Sequence, residues 1–246
     1  MILYDQLDCG RSDWPKDPAN WTVERFVSEL DAIRDALRVK TVHVLGQSWG
    51  AAIAVEYAAR RPAGLKSLVL QGPYLSSKVW NEDAHRLRAR LPSPFATNLE
   101  RCETAGFPRN DSDCSRAVRA YYQAFNGKAA PPAYVSDYYK TMVRVMQAMP
   151  DKPGPDIYET MWGRNELKVT GTLKDYDAEP LLAKIAAPTL YLSGEFDECP
   201  PETNRRFAAK TRSAEVIIIP GATHSAQYEA PDLYAETLHA FLARHD

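Results

Sequence analysis

The run Gly46-Gln47-Ser48-Trp49-Gly50 constrains this chain more than any other stretch. It follows a short apolar segment, Thr41-Val42-His43-Val44-Leu45, and opens an alanine-rich helical pattern. Glycine-x-serine-x-glycine between a strand and a helix is a nucleophile elbow. The serine occupies a strained turn with its hydroxyl pushed out above the sheet, and its flanking positions need glycine to avoid clashes. Ala51, Ala52, Ala54, Ala58 and Ala59 favour a helix and are small enough to let it lie close to neighbouring strands. The bland alternative is a glycine-flanked loop serine; the strand before and the helix after weigh against it.

An elbow needs a sheet to stand on, and the rest of the chain supplies the pattern for one. Short apolar runs bounded by turn residues, Ile2–Asp5, Thr41–Leu45, Ser67–Leu70, Thr189–Leu192 and Val216–Ile219, alternate with helical periodicity. This is the signature of a largely parallel sheet with crossover helices on both faces. Val23, Phe26, Leu30, Ile33 and Leu37 recur at three- and four-residue steps, predicting an amphipathic helix capped by Thr22. A last helix is expected over Asp232–Leu242. From about Tyr74 to Ile185 the alternation stops, giving a division into a sheet core over residues 1–73, a helical cap over 74–185 and a second core part over 186–246. The cap is rich in aromatics, Tyr121, Tyr122, Phe125, Tyr134, Tyr138, Tyr139 and Tyr158, which read as packing with a few lining a pocket.

Composition narrows the partners. With 30 basic and 32 acidic residues and a net charge of −2, the 246-residue chain has no phosphate-binding stripe, so no nucleic acid is expected. No stretch approaches the roughly 20 apolar residues that cross a bilayer, and the start does not resemble a secretory signal, which makes the cytoplasm the expected location. Cys9, Cys102, Cys114 and Cys199 lack metal-ligand spacing and read as reduced thiols, with a Cys102–Cys114 disulfide the competing idea. Neither a metal nor another cofactor is implied. Prolines at 131–132, 150–155 and 200–201 read as loop punctuation.

A serine hydroxyl is a poor nucleophile at neutral pH and needs a histidine to take its proton and an acid to orient that histidine. In elbow-bearing sheets the chain order is serine, acid, histidine. Asp197 follows the strand Thr189–Leu192, and His224 follows the strand Val216–Ile219; each sits just past a strand's carboxyl end, where open α/β sheets place their sites. The candidate triad is therefore Ser48, Asp197 and His224. Glu195 and Glu198 compete with Asp197 on position alone, whereas His43, His85, His239 and His245 fall at places that suit structural or surface roles.

With this elbow and candidate triad, the chain resembles the proline iminopeptidases, α/β-hydrolases that remove N-terminal proline from peptides. The resemblance rests on Tyr4-Asp5-Gln6-Leu7-Asp8-Cys9-Gly10-Arg11-Ser12, Trp21–Val27, the elbow with Gln47 and Trp49, Met161-Trp162-Gly163, Thr170–Asp175 and the Asp197-Glu198 pair. It implies Asp197 as the orienting acid, the Trp49 amide as an oxyanion donor, and Glu166 and Glu198 as carboxylates for the substrate's protonated amine. Small peptides with a free N-terminal proline are the implied substrates, and the oligomeric state is left open. One departure bears on both fold and chemistry. The family's His-Gly-Gly-Pro loop is missing, and Met1 falls at what matches the fourth strand. Residues 2–5 and 41–45 would then flank the place of a missing third strand, so that either the sheet closes differently or Met1 is an internal start. An unpaired edge beside Thr41–Leu45 and a single recognisable oxyanion donor are expected. Two other functions compete: a small-acyl esterase or amidase, and an impaired hydrolase-like protein.

Overall fold

A computed structural model describes residues 1–128, 133 and 156–246. Four strands, β1 (Val42–Gln47), β2 (Leu65–Gln71), β3 (Thr189–Gly194) and β4 (Ala214–Ile219), form one all-parallel sheet in the order β1-β2-β3-β4. Their runs of Val, Ile and Leu suit strands covered on both faces. Leu68, Leu70 and Tyr191 point to one face, packing with Phe26 and Val27 of α1 (Val23–Ala36), the buried alanines of α2 (Trp49–Ala59) and Phe207. Val69, Leu190 and Leu192 point to the other, where Phe241 of the terminal helix covers them. The period-2 alternation thus divides the core into two layers. Thr22 caps α1 through its Oγ1, which accepts from the Arg25 amide at 3.2 Å.

The segment Ile2–Asp5 is not a strand, contrary to expectation. A strand exists only against a ladder partner, and among the described residues β1 pairs with β2 alone. A groove of about 340 Å³ runs between Tyr4, Asp5 and Gln6 on one side and Val44 to Gln47 on the other, so residues 2–5 never reach β1. Met1, Ile2 and Leu3 are exposed, as is Leu45 in the middle of β1. Asp8 ties the following turn together: its buried carboxylate accepts from Trp21 Nε1 at 2.7 Å and from the Lys16 amide at 2.8 Å.

Between β2 and β3 the described residues are helical: α3 (Ser77–Arg88), α4 (Ser93–Thr104), α5 (Ser112–Phe125), α6 (Ile157–Met161) and a 3-10 helix, Glu179–Lys184. Tyr121 and Phe125 pack with Leu87 and Leu99 in a separate core of this insertion. Tyr134, Tyr138 and Tyr139, and the prolines at 131–132 and 150–155, lie outside the described residues. Here the expectation of four reduced thiols is corrected, because Cys102 of α4 and Cys114 of α5 are joined in a disulfide, with Cα atoms 5.6 Å apart. The two helices pack as a hairpin with both cysteines buried on the facing sides, a proximity that spacing in the sequence does not reveal. Cys9 and Cys199 are free. After β3 come α7 (Pro201–Ala208), α8 (Ala226–Glu229) and α9 (Pro231–Arg244); the last runs slightly beyond the predicted ends.

Candidate active site

The site is assembled where the strands stop. Ser48 follows β1 directly with φ 52° and ψ −118°, a left-handed backbone that a residue with a side chain adopts only under strain. The turn is held by the Ser48 amide donating to Gln71 O at 2.9 Å and by the Ala51 amide donating to Ser48 O at 3.0 Å. Of the two flanking glycines only the first is sterically required. A Cβ on Gly46 would lie 2.2 Å from Gly50 O, whereas one on Gly50 would meet nothing within 4 Å because it faces the open groove beside β1.

Asp197 and His224 come together from the loops after β3 and β4. Asp197 Oδ1 accepts from the Cys199 amide at 2.9 Å and pairs with His224 Nδ1 at 2.7 Å, while Oδ2 accepts from the Gly194 amide at 3.2 Å. With Nδ1 committed to the carboxylate, His224 keeps Nε2 for another partner. Burial works against the imidazolium, but the Asp197 charge and hydrogen bond, with Glu198 and Glu166 behind them, outweigh it and raise the His224 pKa to about 9. A carboxamide network supports the histidine from below: Gln47 Nε2 donates to His224 O at 3.1 Å, and Gln227 Nε2 donates to Gln47 Oε1 at 3.1 Å.

Gly72, just past the end of β2, belongs to the site although no motif in the sequence includes it. Its φ is +47°, and a Cβ there would stand 2.5 Å from His224 Nδ1 and 3.1 Å from Asp197 Oδ1. The histidine–aspartate pair lies directly on this glycine. The Gly72-Pro73 dipeptide ending a strand was the available signal.

The two predicted amine-binding carboxylates also face this site, Glu166 from the cavity that holds Ser48 and Glu198 from the position after Asp197. Glu166 lines a cavity of about 150 Å³ with Ser48, Trp49, Phe26, Tyr158 and Trp162. Its Oε1 accepts from Tyr158 OH at 2.7 Å, and its amide donates to Tyr122 OH at 3.1 Å. Glu198 is buried; Asn126 Nδ2 donates to its Oε2 at 2.8 Å, and its Oε1 has no hydrogen-bond partner among the described residues. Burial pushes both carboxyls above the usual range; at Glu198 the charges of Glu166 and Asp197 add to that effect while His224 opposes it. Glu195, by contrast, accepts from the Gly221 amide at 2.8 Å on the exposed side of the loop. His43 bonds Ser67 Oγ at 2.7 Å within the sheet, His85 contacts Arg88 on α3, and His245 packs on Phe241. Among the described residues no cluster of His, Cys, Asp and Glu has the arrangement of a metal site.

A parallel sheet with an elbow serine at one strand end and a histidine–aspartate pair at two others defines the class: a serine hydrolase of the α/β-hydrolase fold. The sequence profile of that fold family matches residues 1–231. The proline iminopeptidase of Heyndrickxia coagulans is 34% identical over 242 residues, spanning 98% of this chain and 81% of the relative. The crystal structure of the Mycobacterium smegmatis proline iminopeptidase superposes with a TM-score of 0.85 at 34% identity, over 97% of this chain and 77% of that one. An esterase from Exiguobacterium antarcticum, at 15% identity and a TM-score of 0.61 over 95% of this chain and 78% of its own, shares the fold alone. The chain belongs to the α/β-hydrolases and, within them, to the proline iminopeptidase family.

Proposed function

We propose that this enzyme is a serine aminopeptidase that releases proline from the free N-terminus of small peptides. Ser48 Oγ attacks the proline carbonyl carbon while His224 Nε2 takes its proton, and Asp197 holds the resulting imidazolium at Nδ1. The oxyanion is stabilised by the Trp49 amide at the start of α2. The imidazolium then protonates the departing amine of the shortened peptide. Water, deprotonated through His224, hydrolyses the acyl-enzyme and frees Ser48.

The observation that carries the reading is a pair of carboxylates around the serine and histidine: Glu166 lines the cavity that holds Ser48, and Glu198, next to Asp197, acts on His224. Leaving a buried carboxylate oxygen without a donor costs on the order of 1–3 kcal/mol or more, and Glu198 Oε1 is left so. A protonated amine supplies the missing donor and offsets the charge of both Glu198 and Glu166. The small, largely apolar cavity, with Phe26, Trp49, Tyr158 and Trp162 in its wall, suits one compact ring attached to that amine. An N-blocked residue would leave the carboxylates unpaired. A division into core and cap at residues 74 and 185 belongs to the same proposal, with Glu166 supplied by the cap.

The test compares a proline arylamide, its N-blocked analogue and an acetyl ester. Glu198→Gln and Glu166→Gln should each weaken use of the free-amine substrate by roughly 10- to 100-fold, the equivalent of about 1.5–3 kcal/mol for a charge-assisted contact. The acetyl ester should be spared. Equal losses on both would leave the carboxylates a structural role and favour a small-acyl esterase. We also propose a cytoplasmic location. No described helix is long and apolar enough to cross a membrane. The Cys102–Cys114 disulfide weighs against that location, since a reducing compartment keeps such pairs as thiols; alkylation at lysis followed by mass spectrometry that found the pair oxidised in the cell would overturn it.

A further inference from the structure

Glu198 is held from the insertion as well as from the sheet. Asn126 ends α5, its amide donating to Tyr122 O at 2.8 Å, and its side chain leaves the helix to donate from Nδ2 to Glu198 Oε2 at 2.8 Å. Asparagine is common at helix ends, but here its side chain spans to a loop 72 positions away rather than capping its own helix. The neighbouring residues fasten the same helix end to both catalytic loops. Phe125 O accepts from the His224 amide at 3.0 Å. Lys128 donates from Nζ to Gly221 O at 3.0 Å, and the same Nζ lies 3.8 Å from the centre of the Phe196 ring. Asn126 is therefore fixed relative to Glu198, Asp197 and His224 alike.

The chemistry of the carboxamide matters as much as its position. A lysine or arginine at this place would neutralise Glu198 and compete with an incoming ammonium. An amide N–H holds one carboxylate oxygen without adding charge, and so leaves the other oxygen as a charged acceptor. We propose that Asn126 is the positioning residue for amine selectivity: by occupying Glu198 Oε2 it reserves Oε1 for the substrate's ammonium group. This rests on the aminopeptidase reading above and adds the device that orients its carboxylate.

The experiment measures KM and kcat for a proline arylamide, alongside the rate at which a fluorophosphonate labels Ser48, in wild type, Asn126→Leu, Asn126→Asp and Glu198→Gln. The phosphonate needs a working serine and histidine but no amine site, so it reports the intact machinery. Asn126→Leu is expected to raise KM roughly tenfold, the effect of losing one hydrogen bond to a charged group, with kcat and labelling close to wild type. Asn126→Asp, which sets a carboxylate against a carboxylate, should raise KM further. If Glu198→Gln raises KM while both Asn126 variants keep the wild-type value, Glu198 is oriented without Asn126; the inference falls and the aminopeptidase reading stands. A parallel loss of labelling and arylamide turnover in the Asn126 variants would make the residue a structural prop and also overturn it. An unchanged KM in Glu198→Gln would remove the amine site itself, and this inference with it.

Discussion

Ser48, Asp197 and His224 each stand on a loop leaving the carboxyl end of a strand in one parallel sheet, whereas Glu166, Tyr122, Tyr158 and Asn126 come from helices and turns inserted between β2 and β3. The first group is positioned by hydrogen-bonded ladders a few residues away. The second depends on how the insertion docks, through contacts such as Phe125 O with the His224 amide and Asn126 with Glu198. Glu198 belongs to both: its backbone adjoins Asp197 and its side chain answers to α5. On the proposed function, the groups assigned to bond-making stand on the sheet and those assigned to recognition on the insertion, and the two sets should be separable by mutation.

The largest effects fall on the sheet side. Ser48→Ala, Asp197→Asn and His224→Ala are each expected to lower turnover of every substrate by several orders of magnitude, because such groups act as a unit. Circular dichroism should show the fold intact, and near-normal turnover by folded Ser48→Ala protein would break the assignment.

Gly72→Ala should act on the same side without touching a reacting group. The added methyl meets His224 Nδ1 and Asp197 Oδ1, and alanine is disfavoured at φ +47°. Displacing the histidine by about 1 Å is expected to cost roughly 10²-fold in kcat, again on every substrate. A loss confined to free-amine substrates would blur the division.

A pH profile probes where the halves meet. His224 accepts a proton only when neutral, and its pKa is raised to about 9, so the rate of Ser48 labelling by a fluorophosphonate should climb with pH until that value is passed. Glu198→Gln removes a charge that favours the imidazolium, and the midpoint should move to lower pH. An upward movement, or none, would mean that the carboxylate does not act on the histidine.

The smallest effect on chemistry is expected from the disulfide, which links two helices of the insertion, α4 and α5. Closing the loop between Cys102 and Cys114 is worth about 3 kcal/mol in the chain-entropy description. Replacing both by serine should lower the denaturation midpoint measured in urea while leaving kcat for the acetyl ester within about twofold, since a site built on the sheet does not need that bond.

The strands β1 to β4, α1 with its Thr22 cap, and the positions of Ser48, Asp197 and His224 were readable from residue order, because each follows from periodicity or turn chemistry acting over a few neighbours. Glu166 and Glu198 were reached only through the resemblance to a family, since a carboxylate in a loop carries no local mark of what it will face. Three features needed the folded chain. Ile2–Asp5 has strand composition but no ladder partner, and only the sheet's actual edge reveals that. Cys102 and Cys114 meet because two helices pack face to face, and no rule of spacing brings them within 5.6 Å. Gly72 and Asn126 touch His224 and Glu198 across 152 and 72 positions of chain. Local propensity decides which elements form; the docking of remote surfaces, driven by burial of their apolar sides, decides which side chains end up against the reacting groups.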